Sequence, residues 1–441
     1  MNAGRASSLS FSVPFFLQLC GYIMFGDDNT QPRKDIVVLG GSYGGLSTSH
    51  YLLKHVIPEL GEKSVYRVTI VSSAPQAMCR PACPRALLSD AMFPQDKLFV
   101  DIAKSFEQYP AGSIRFLQGT ATTLDHHGRS VLITLANGST ETISFWSLVV
   151  ATGASTPSPL LGLNRDMEHL QAEWKAFRAA LPTARSIVIA GGGPAGVETA
   201  GELGHFLNGR SGWFSAPPKN PKVSITIVTS GSKILPLLRP AIAKKAESYL
   251  AQVGVTILRN TKVKTVDPPA AGTGDVASKA TIYLEDDKPL EADLYIPATG
   301  TRPNTDFVDP TLLTADGRIE TNPLTLRVDK AGPRIYAIGD AASTARPAIH
   351  LIFGAVPVLC ANMQRDFLLA SGTDEGSAGE DRLFEVDASE TQLVPIGKDK
   401  GVGAAKGYQL PSFLVWLIKG RDYWLWTVGN LWSGKQWAKR S

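Results

Sequence analysis

The chain has 441 residues, of which 44% are hydrophobic and 19% are charged, and its formal net charge is +4. This length exceeds one compact core, so two or three packed units are expected, and the composition is that of a folded protein. No dense block of Lys and Arg occurs, which argues against a nucleic-acid partner. The cysteines are too few for a disulfide framework and fit a reducing compartment; they are Cys20, Cys79, Cys83 and Cys360.

Residues 1–34 form an N-terminal apolar segment that carries no charge between Ala6 and Gly26. A secretory signal, a membrane anchor and a docked terminal segment are the alternatives. Pro14 and Gln18 make a membrane-spanning helix unfavourable, so contact with a membrane surface is favoured over secretion. The expected location is the cytoplasm or a membrane surface, the mitochondrial membrane included.

A first dinucleotide-binding pattern begins with the strand-like run DIVVL at residues 35–39. The glycine-rich residues 40–45 follow directly, and a helical stretch begins near Leu46. In such a fingerprint Gly40 makes the tight turn and Gly45 allows the helix to pack against the strand. Ser42 stands where a glycine usually lets the backbone approach the pyrophosphate, which its hydroxyl could contact.

A second copy of the pattern lies at residues 186–203, SIVIAGGGPAGVETAGEL, with Gly191, Gly193 and Gly196 in full register. One motif is a weak signal, but two that lie about one domain length apart, each between a strand and a helix, are a strong one. Further strand-like runs alternate with helical patterns and predict parallel sheets covered on both faces; they lie at 67–71, 147–151, 223–228, 292–296 and 334–338.

Two later glycine turns predict chain crossings that return to an FAD site. Residues 149–153, VVATG, leave a strand through Thr152 and Gly153, and residues 338–340 do the same through Gly339 and Asp340. The carboxylate of Asp340 suits a ribityl hydroxyl of FAD, and a plain helix cap is the alternative for this residue. The pair Thr299 and Gly300 accompanies these turns and both fingerprints, and Gly300 is expected to contact a cofactor.

The expected fold is therefore α/β, with two Rossmann-type domains and a small C-terminal α+β module. The FAD-binding domain is interrupted by the NAD(P)H-binding domain. The predicted ranges are 35–180 and 296–368 for FAD binding, 181–295 for NAD(P)H binding, and 369–441 for the C-terminal module.

Neither unit ends its second strand on the acidic residue that usually binds the adenosine ribose. The first unit has Ser72 and Ser73 there, and the second has Thr229 and Ser230. In the second unit this removes a repulsion against a 2′-phosphate, and Lys233 follows closely, so both NADH and NADPH are expected; a solvent-exposed role is the alternative for Lys233.

Together these motifs resemble the AMID-like and ferroptosis-suppressor-like NAD(P)H:quinone oxidoreductases, relatives of type II NADH dehydrogenases and of the apoptosis-inducing-factor group. The matching segments are VVLGGSYGGL, CPRAL, VVATG, VIAGGGPAGVETAGEL, RIYAIGDAA, IGKDKGVGAAKG and LIKGRDYWLW. They extend from Asp35 nearly to the C-terminus.

The resemblance implies that FAD is contacted by Arg85, by Asp340 and by residues of the first glycine turn; these turn residues are Gly40, Gly41, Ser42, Gly44 and Gly45. The turn 191–196 would hold NADH or NADPH. Glu198 would position the nicotinamide over the flavin, or act only as an acid that stabilises the helix N-terminus. No metal site is predicted.

Departures from the family concern proton delivery and membrane attachment. Ala348 stands where the ferroptosis suppressors have a lysine near the flavin, so His350 is the candidate proton donor, with a packed core histidine as the alternative. Asn2 replaces the glycine needed for myristoylation. Basic residues accompany a group of tryptophans that suits a membrane surface, internal packing or a homodimer contact; these are Trp416, Trp424, Trp426, Trp432 and Trp437.

The predicted reaction is transfer of a hydride from NAD(P)H to FAD, followed by reduction of a quinone-like acceptor. An FAD-dependent tailoring enzyme that acts on an aromatic polyketide is the alternative. Disulfide reduction by Cys79 and Cys83 is disfavoured by their three-residue spacer. A redox-sensing binding protein is disfavoured by the intact second fingerprint.

Overall fold

The computed structural model describes residues 33–61, 63–212 and 216–440. The predicted N-terminal segment 1–34 lies outside these residues except for Arg33 and Lys34. The strands are β1 (Lys34–Leu39), β2 (Tyr66–Ser72), β3 (Gln76–Met78), β4 (Phe99–Asp101), β5 (Ile114–Asp125), β6 (Ser130–Leu135), β7 (Thr140–Ser144), β8 (Ser147–Val150), β9 (Ala154–Ser155), β10 (Ser186–Ala190), β11 (Ser224–Val228), β12 (Val255–Leu258), β13 (Val263–Asp267), β14 (Ala280–Leu284), β15 (Pro289–Ala292), β16 (Leu294–Pro297), β17 (Arg302–Pro303), β18 (Ile335–Ala337), β19 (Gln392–Ile396), β20 (Lys400–Ala405) and β21 (Tyr408–Gln409).

The helices vary from single turns to a 22-residue element. The α-helices are α1 (Tyr43–Tyr51), α2 (Cys83–Ala86), α3 (Gln95–Leu98), α4 (Ile102–Ser105), α5 (Met167–Ala180), α6 (Pro194–Asn208), α7 (Pro240–Ala251), α8 (Ile349–Ala370), α9 (Glu375–Ala378), α10 (Ser412–Val415) and α11 (Leu425–Trp432). Two π-helical segments, Leu52–Val56 and Trp416–Gly420, continue α1 and α10. Within the described ranges, no helix combines the length and the apolar character needed to cross a membrane.

The larger sheet has the strand order β18-β8-β1-β2-β5-β6-β7. Strands β18, β8, β1, β2 and β5 are parallel, whereas β6 and β7 are antiparallel additions. Alternate residues of β1 face opposite sides, so Ile36 and Val38 belong to one core and Val37 and Leu39 to another. Because both faces are covered, β1 is a continuous apolar run.

The second sheet has the order β12-β11-β10-β16 and is entirely parallel. An antiparallel sheet of β13, β14 and β15 packs on one of its faces, where Val188 and Val228 contact a cluster that includes Ile282. The predicted boundary at residue 295 falls inside β16. Two dinucleotide-binding units of this kind confirm the predicted α/β fold class.

The C-terminal module contains the antiparallel sheet β19-β20-β21, followed by α10, the π-helical segment 416–420 and α11. Strand β19 packs so closely on α6 that a Cβ on Gly201 would lie 2.9 Å from the Cα of Ile396. Helix α11 packs on α1, with the ring centroids of Trp432 and Tyr43 4.9 Å apart. The module therefore contacts the first helix of both dinucleotide units.

Candidate functional site

A cavity of about 880 Å³ is lined by the glycine turns of both units. The first glycine turn, residues 40–45, connects β1 to α1, and the second, residues 191–196, connects β10 to α6. Each turn lies at the carboxyl end of the central strand of its parallel sheet, where α/β proteins bind nucleotides. The predicted residues in the lining are Gly40, Gly41, Ser42, Gly44, Thr152, Gly153, Gly191, Gly193, Glu198, Gly300, Gly339 and Asp340.

The first glycine turn has no room for side chains at its ends. Gly40 has φ +123°, and a Cβ there would collide with the carbonyl oxygen of Ala151. A Cβ on Gly45 would collide with the carbonyl oxygen of Gly40. Gly45 lies outside the cavity lining because its role is to bring α1 against β1, as the fingerprint predicts.

The second glycine turn repeats this geometry. Gly191 has φ +125°, and a Cβ on it would strike the carbonyl oxygen of Ala298, while one on Gly196 would strike Gly191. A Cβ on Gly193 would meet no heavy atom within 4 Å, so its backbone faces the open cavity. Two such turns beside one cavity fit two dinucleotides, each with its pyrophosphate at a helix N-terminus.

The predicted crossings meet at the cavity wall. Thr152 donates its hydroxyl to the carbonyl oxygen of Asn304 at 2.7 Å, and the Asn304 amide donates back to the Thr152 carbonyl at 3.0 Å. Asp340 lies in a short 3₁₀ turn, and burial raises its pKa, against the opposing effect of Arg80, whose guanidinium is 3.8 Å away. A carboxyl group held there can bind a ribityl hydroxyl of FAD.

Glu198 forms a buried ion pair at the cavity wall. The Lys419 ammonium, from the C-terminal module, donates to Glu198 Oε1 at 2.5 Å and to the Leu393 carbonyl oxygen at 3.1 Å. Both residues line the cavity and are nearly inaccessible to solvent. Burial raises the pKa of Glu198 to about 7, although Lys419 lowers it. Glu198 can therefore exchange a proton near neutral pH.

Arg85 does not lie where the resemblance implied. Its guanidinium donates to both carboxylate oxygens of Glu202, at 3.0 and 2.7 Å, and to the Gly420 carbonyl oxygen at 2.7 Å. Because α2 directs this side chain toward α6 and the C-terminal module, it is absent from the cavity lining. Arg80, five residues earlier, lines the cavity instead.

His350 is also outside the cavity lining, although its neighbours Ala348 and Ile349 belong to it. Burial lowers its pKa, and Arg346 lowers it further, which keeps the imidazole neutral. The position of His350 gives no support to its predicted role as proton donor, whereas Lys419, which had no predicted role in the site, lines the cavity.

Cys79 and Cys83 are free and buried, and neither lines the cavity. Burial raises the pKa of each thiol to about 12. A thiolate is the reactive form of cysteine, so both thiols are inert near neutral pH. Their environment therefore gives no support to disulfide reduction.

The Lys233 ammonium donates to the carbonyl oxygens of Pro236 and Leu238. It is absent from the cavity lining, whereas Thr229, Ser230 and Lys262 belong to it. Lys262 follows the third strand of the unit, so no local motif could have identified it. Lys419 belongs to LIKGRDYWLW, one of the segments on which the family resemblance rests, but the resemblance implied no role in the site for this lysine.

The C-terminal tryptophans divide between packing and exposure. Trp432 and Trp437 are buried, and the rings of Trp437 and Tyr51 lie 5.7 Å apart. Trp426 is 57% exposed, and Phe413 and Leu417 in the same module are also exposed. Among the residues described, no group of His, Cys, Asp and Glu side chains could hold a metal ion.

Comparison with known proteins agrees with the geometry. The sequence pattern of the pyridine nucleotide-disulphide oxidoreductases matches residues 34–357. Oxidoreductase phnG of Penicillium herquei is 60% identical over 410 residues, which are 93% of this chain and 98% of that protein. Ferroptosis suppressor protein 1 of Xenopus tropicalis is 24% identical over 396 residues, 88% of this chain and 92% of that protein. The predicted resemblance is thus confirmed.

Among solved structures, the sulfide:quinone oxidoreductase of Aquifex aeolicus superposes with a TM-score of 0.67 and 16% sequence identity. The similarity covers 90% of this chain and 92% of that one. It shows that the two proteins share a fold.

Proposed function

Because the chain belongs to the pyridine nucleotide-disulphide oxidoreductase family, we propose that it reduces a quinone-like acceptor with electrons from NAD(P)H. It is an FAD-dependent oxidoreductase, as predicted. When bound, FAD accepts a hydride from NAD(P)H and then passes two electrons to the acceptor. The observation that supports a quinone-like acceptor is the Glu198–Lys419 pair, which places an ionisable carboxyl group in the cavity wall. The described residues of this wall include no cysteine that could reduce a disulfide.

The first glycine turn and Asp340 hold FAD in this proposal, and the second glycine turn holds the nicotinamide dinucleotide. Glu198 follows the first turn of α6, two residues beyond the second glycine turn, and it lines the cavity that both turns share. It is therefore placed to contact the nicotinamide half of the dinucleotide. This contact would orient the ring for hydride transfer, which depends on alignment at near-contact distance.

A quinone takes up two protons with its two electrons, so its site needs a proton donor. Glu198 has a pKa of about 7 and is protonated in a large fraction of molecules at neutral pH. It can give this proton to a carbonyl oxygen of the acceptor. The Lys419 ammonium at 2.5 Å then stabilises the carboxylate that remains.

We propose that the C-terminal module associates with a membrane surface, because a lipid-soluble acceptor would reach the cavity from the membrane. Phe413, Leu417 and Trp426 are 65%, 44% and 57% exposed, and the exposed Arg421 lies beside them in the chain. An aromatic and basic surface suits the membrane interface. A homodimer contact is the alternative use of the same surface.

A tailoring oxidoreductase that acts on an aromatic polyketide is the second candidate. The chain is 60% identical to oxidoreductase phnG, whose name specifies no acceptor, and only 24% identical to ferroptosis suppressor protein 1, so the second similarity does not by itself determine the acceptor. Quinones and oxidised aromatic polyketides both present a carbonyl oxygen on a flat ring, so Glu198 could protonate either.

Anaerobic mixing tests both halves of the proposal. NADH or NADPH should bleach the flavin absorbance, and failure of both would contradict the donor assignment. The reduced enzyme is then mixed with quinones, aromatic polyketides, oxygen and disulfides. Fastest reoxidation by quinones is expected; fastest reoxidation by the polyketides would favour the second candidate, and by disulfides would contradict both.

A further inference from the structure

We infer that the second dinucleotide unit selects NADPH, through a 2′-phosphate site formed by Thr229, Ser230 and Lys262. The inference rests on the proposed assignment of the second glycine turn to the nicotinamide dinucleotide. In a Rossmann unit the adenosine ribose lies beyond the glycine turn, at the end of the second strand. Thr229 and Ser230 occupy that place directly after β11.

The strand end and the glycine turn are in close contact. A Cβ on Gly192 would lie 2.6 Å from the Thr229 hydroxyl oxygen. The Thr229 hydroxyl accepts a long hydrogen bond from the Gly231 amide at 3.4 Å, which leaves its own proton free to donate. Ser230 is exposed and lines the cavity. Two hydroxyl donors therefore stand where an NADH-selective unit places a carboxylate.

Lys262 is brought to this place by the pairing of β11 with β12. The Thr261 amide donates to the Thr229 carbonyl oxygen at 3.0 Å, which fixes the segment that follows β12 beside the end of β11. The Lys262 side chain is 67% exposed, and its ammonium lies 3.5 Å from the carboxylate of Glu285, which is 62% exposed. An ion pair exposed to this extent is weak, so the ammonium can turn to a phosphate.

The first unit provides an internal comparison, because it is expected to bind a dinucleotide that has no 2′-phosphate. Its second strand also ends on hydroxyl residues, Ser72 and Ser73. The cavity-lining segments at this end, 71–74 and 119–121, contain no charged residue. Both units thus have hydroxyl groups at the end of the second strand, whereas only the second unit has a lysine in the cavity lining there.

Other charged groups near this region do not compete for the role. The acidic side chains among the described lining residues are Glu198, Asp306 and Asp340, none of which lies on β11 or β12. Asp306 is paired with Arg302 at 2.7 Å. Arg259, the other cation after β12, is paired with Glu247 at 2.7 Å and does not line the cavity.

Calorimetric titration of the FAD-loaded protein with 2′,5′-ADP and with 5′-AMP tests the inference without turnover. These probes differ only in the 2′-phosphate, and hydrogen bonds to a charged group predict about tenfold tighter binding of 2′,5′-ADP. Lys262→Ala should remove most of this ratio and leave 5′-AMP binding unchanged. Lys264→Ala is the matched control, since Lys264 is paired with Asp287 outside the cavity lining.

Ser230→Asp supplies a second variant, which should weaken 2′,5′-ADP binding by repulsion but not 5′-AMP binding. Equal affinity of the wild-type protein for both probes would overturn NADPH selection while leaving the nucleotide site intact. An equal loss of both probes in Lys262→Ala would overturn the role of that lysine. Binding of neither probe would overturn the assignment of the second unit, and the inference with it.

Discussion

At the scale of single residues, burial and the Lys419 ammonium have opposite effects on the pKa of Glu198. Burial alone favours the neutral carboxylic acid, whereas the ammonium at 2.5 Å favours the carboxylate. The two effects leave the pKa of Glu198 at about 7. If Glu198 donates a proton as proposed, this ability depends on a lysine that comes from the C-terminal module.

Substitution Lys419→Met should raise the pKa of Glu198 above about 7, because an opposite charge within 4–6 Å typically lowers such a pKa by about 1–3 units. Loss of acceptor reduction at alkaline pH should then occur at a pH about 1–3 units higher. Stopped-flow reoxidation of the reduced enzyme, followed from pH 5 to 10, measures the shift.

Lys419→Arg keeps the cation and should retain a profile close to that of the wild-type protein. If the Lys419→Met profile coincided with the wild-type profile, Glu198 could not be the proton donor.

At the scale of elements, the glycines of one turn have different physical roles. Gly196 allows close packing, because a Cβ there would collide with Gly191. Gly193 borders open space and lets a ligand approach the backbone. In the first turn, Gly45 allows the close packing, as Gly196 does in the second. Ser42 takes the position that corresponds to Gly193 and places a hydroxyl group at the cavity.

Gly193→Val should leave the protein folded and FAD bound but abolish bleaching of the flavin by NAD(P)H, because the new side chain projects into the cavity. Gly196→Val should instead destabilise the fold by about 3 kcal/mol, as overpacking does. Flavin absorbance, thermal unfolding and anaerobic bleaching distinguish the two effects. Normal bleaching in Gly193→Val would refute the assignment of the second unit.

At the scale of the whole molecule, the C-terminal module is attached to the first dinucleotide unit by buried polar contacts. His50 in α1 is fully buried, and its Nε2 lies 2.9 Å from the Trp432 carbonyl oxygen. Its Nδ1 lies 2.7 Å from the Tyr109 hydroxyl, and its ring stacks on Phe106 with a centroid distance of 4.0 Å. A neutral imidazole satisfies both contacts, by donating from Nε2 and accepting at Nδ1.

Burial lowers the pKa of His50 from 6.5 to about 4, so the stability of the protein should fall as pH decreases between these values. The unfolded chain binds the proton more tightly, so the contribution of His50 is complete above pH 6.5 and declines by about 3 kcal/mol in total. Thermal unfolding measured between pH 4.5 and 7.5 should show this slope.

His50→Gln replaces the ring with a side chain that does not titrate, so its melting temperature should change less over the same pH range. The exposed His127 provides a control, since His127→Gln should keep the wild-type slope. Parallel slopes for His50→Gln and the wild-type protein would exclude His50 as the origin.

The sequence by itself determined the two dinucleotide units, the insertion of the second unit within the first, and the glycine turns, because these features depend on local patterns. A buried parallel strand must be an apolar run, and a turn against a neighbouring carbonyl oxygen must be glycine, as at Gly40 and Gly191. These requirements appear within about 30 consecutive residues, the length of one βαβ unit.

Only the tertiary structure decided which charged side chains reach the cavity. Arg80 and Arg85 are only five positions apart, yet the first lines the cavity and the second pairs with Glu202. Lys419 lies 221 residues from Glu198 in the chain and contacts it only because the C-terminal module packs on α6. Such contacts depend on how separate elements pack, and no periodicity or spacing in the sequence records that arrangement.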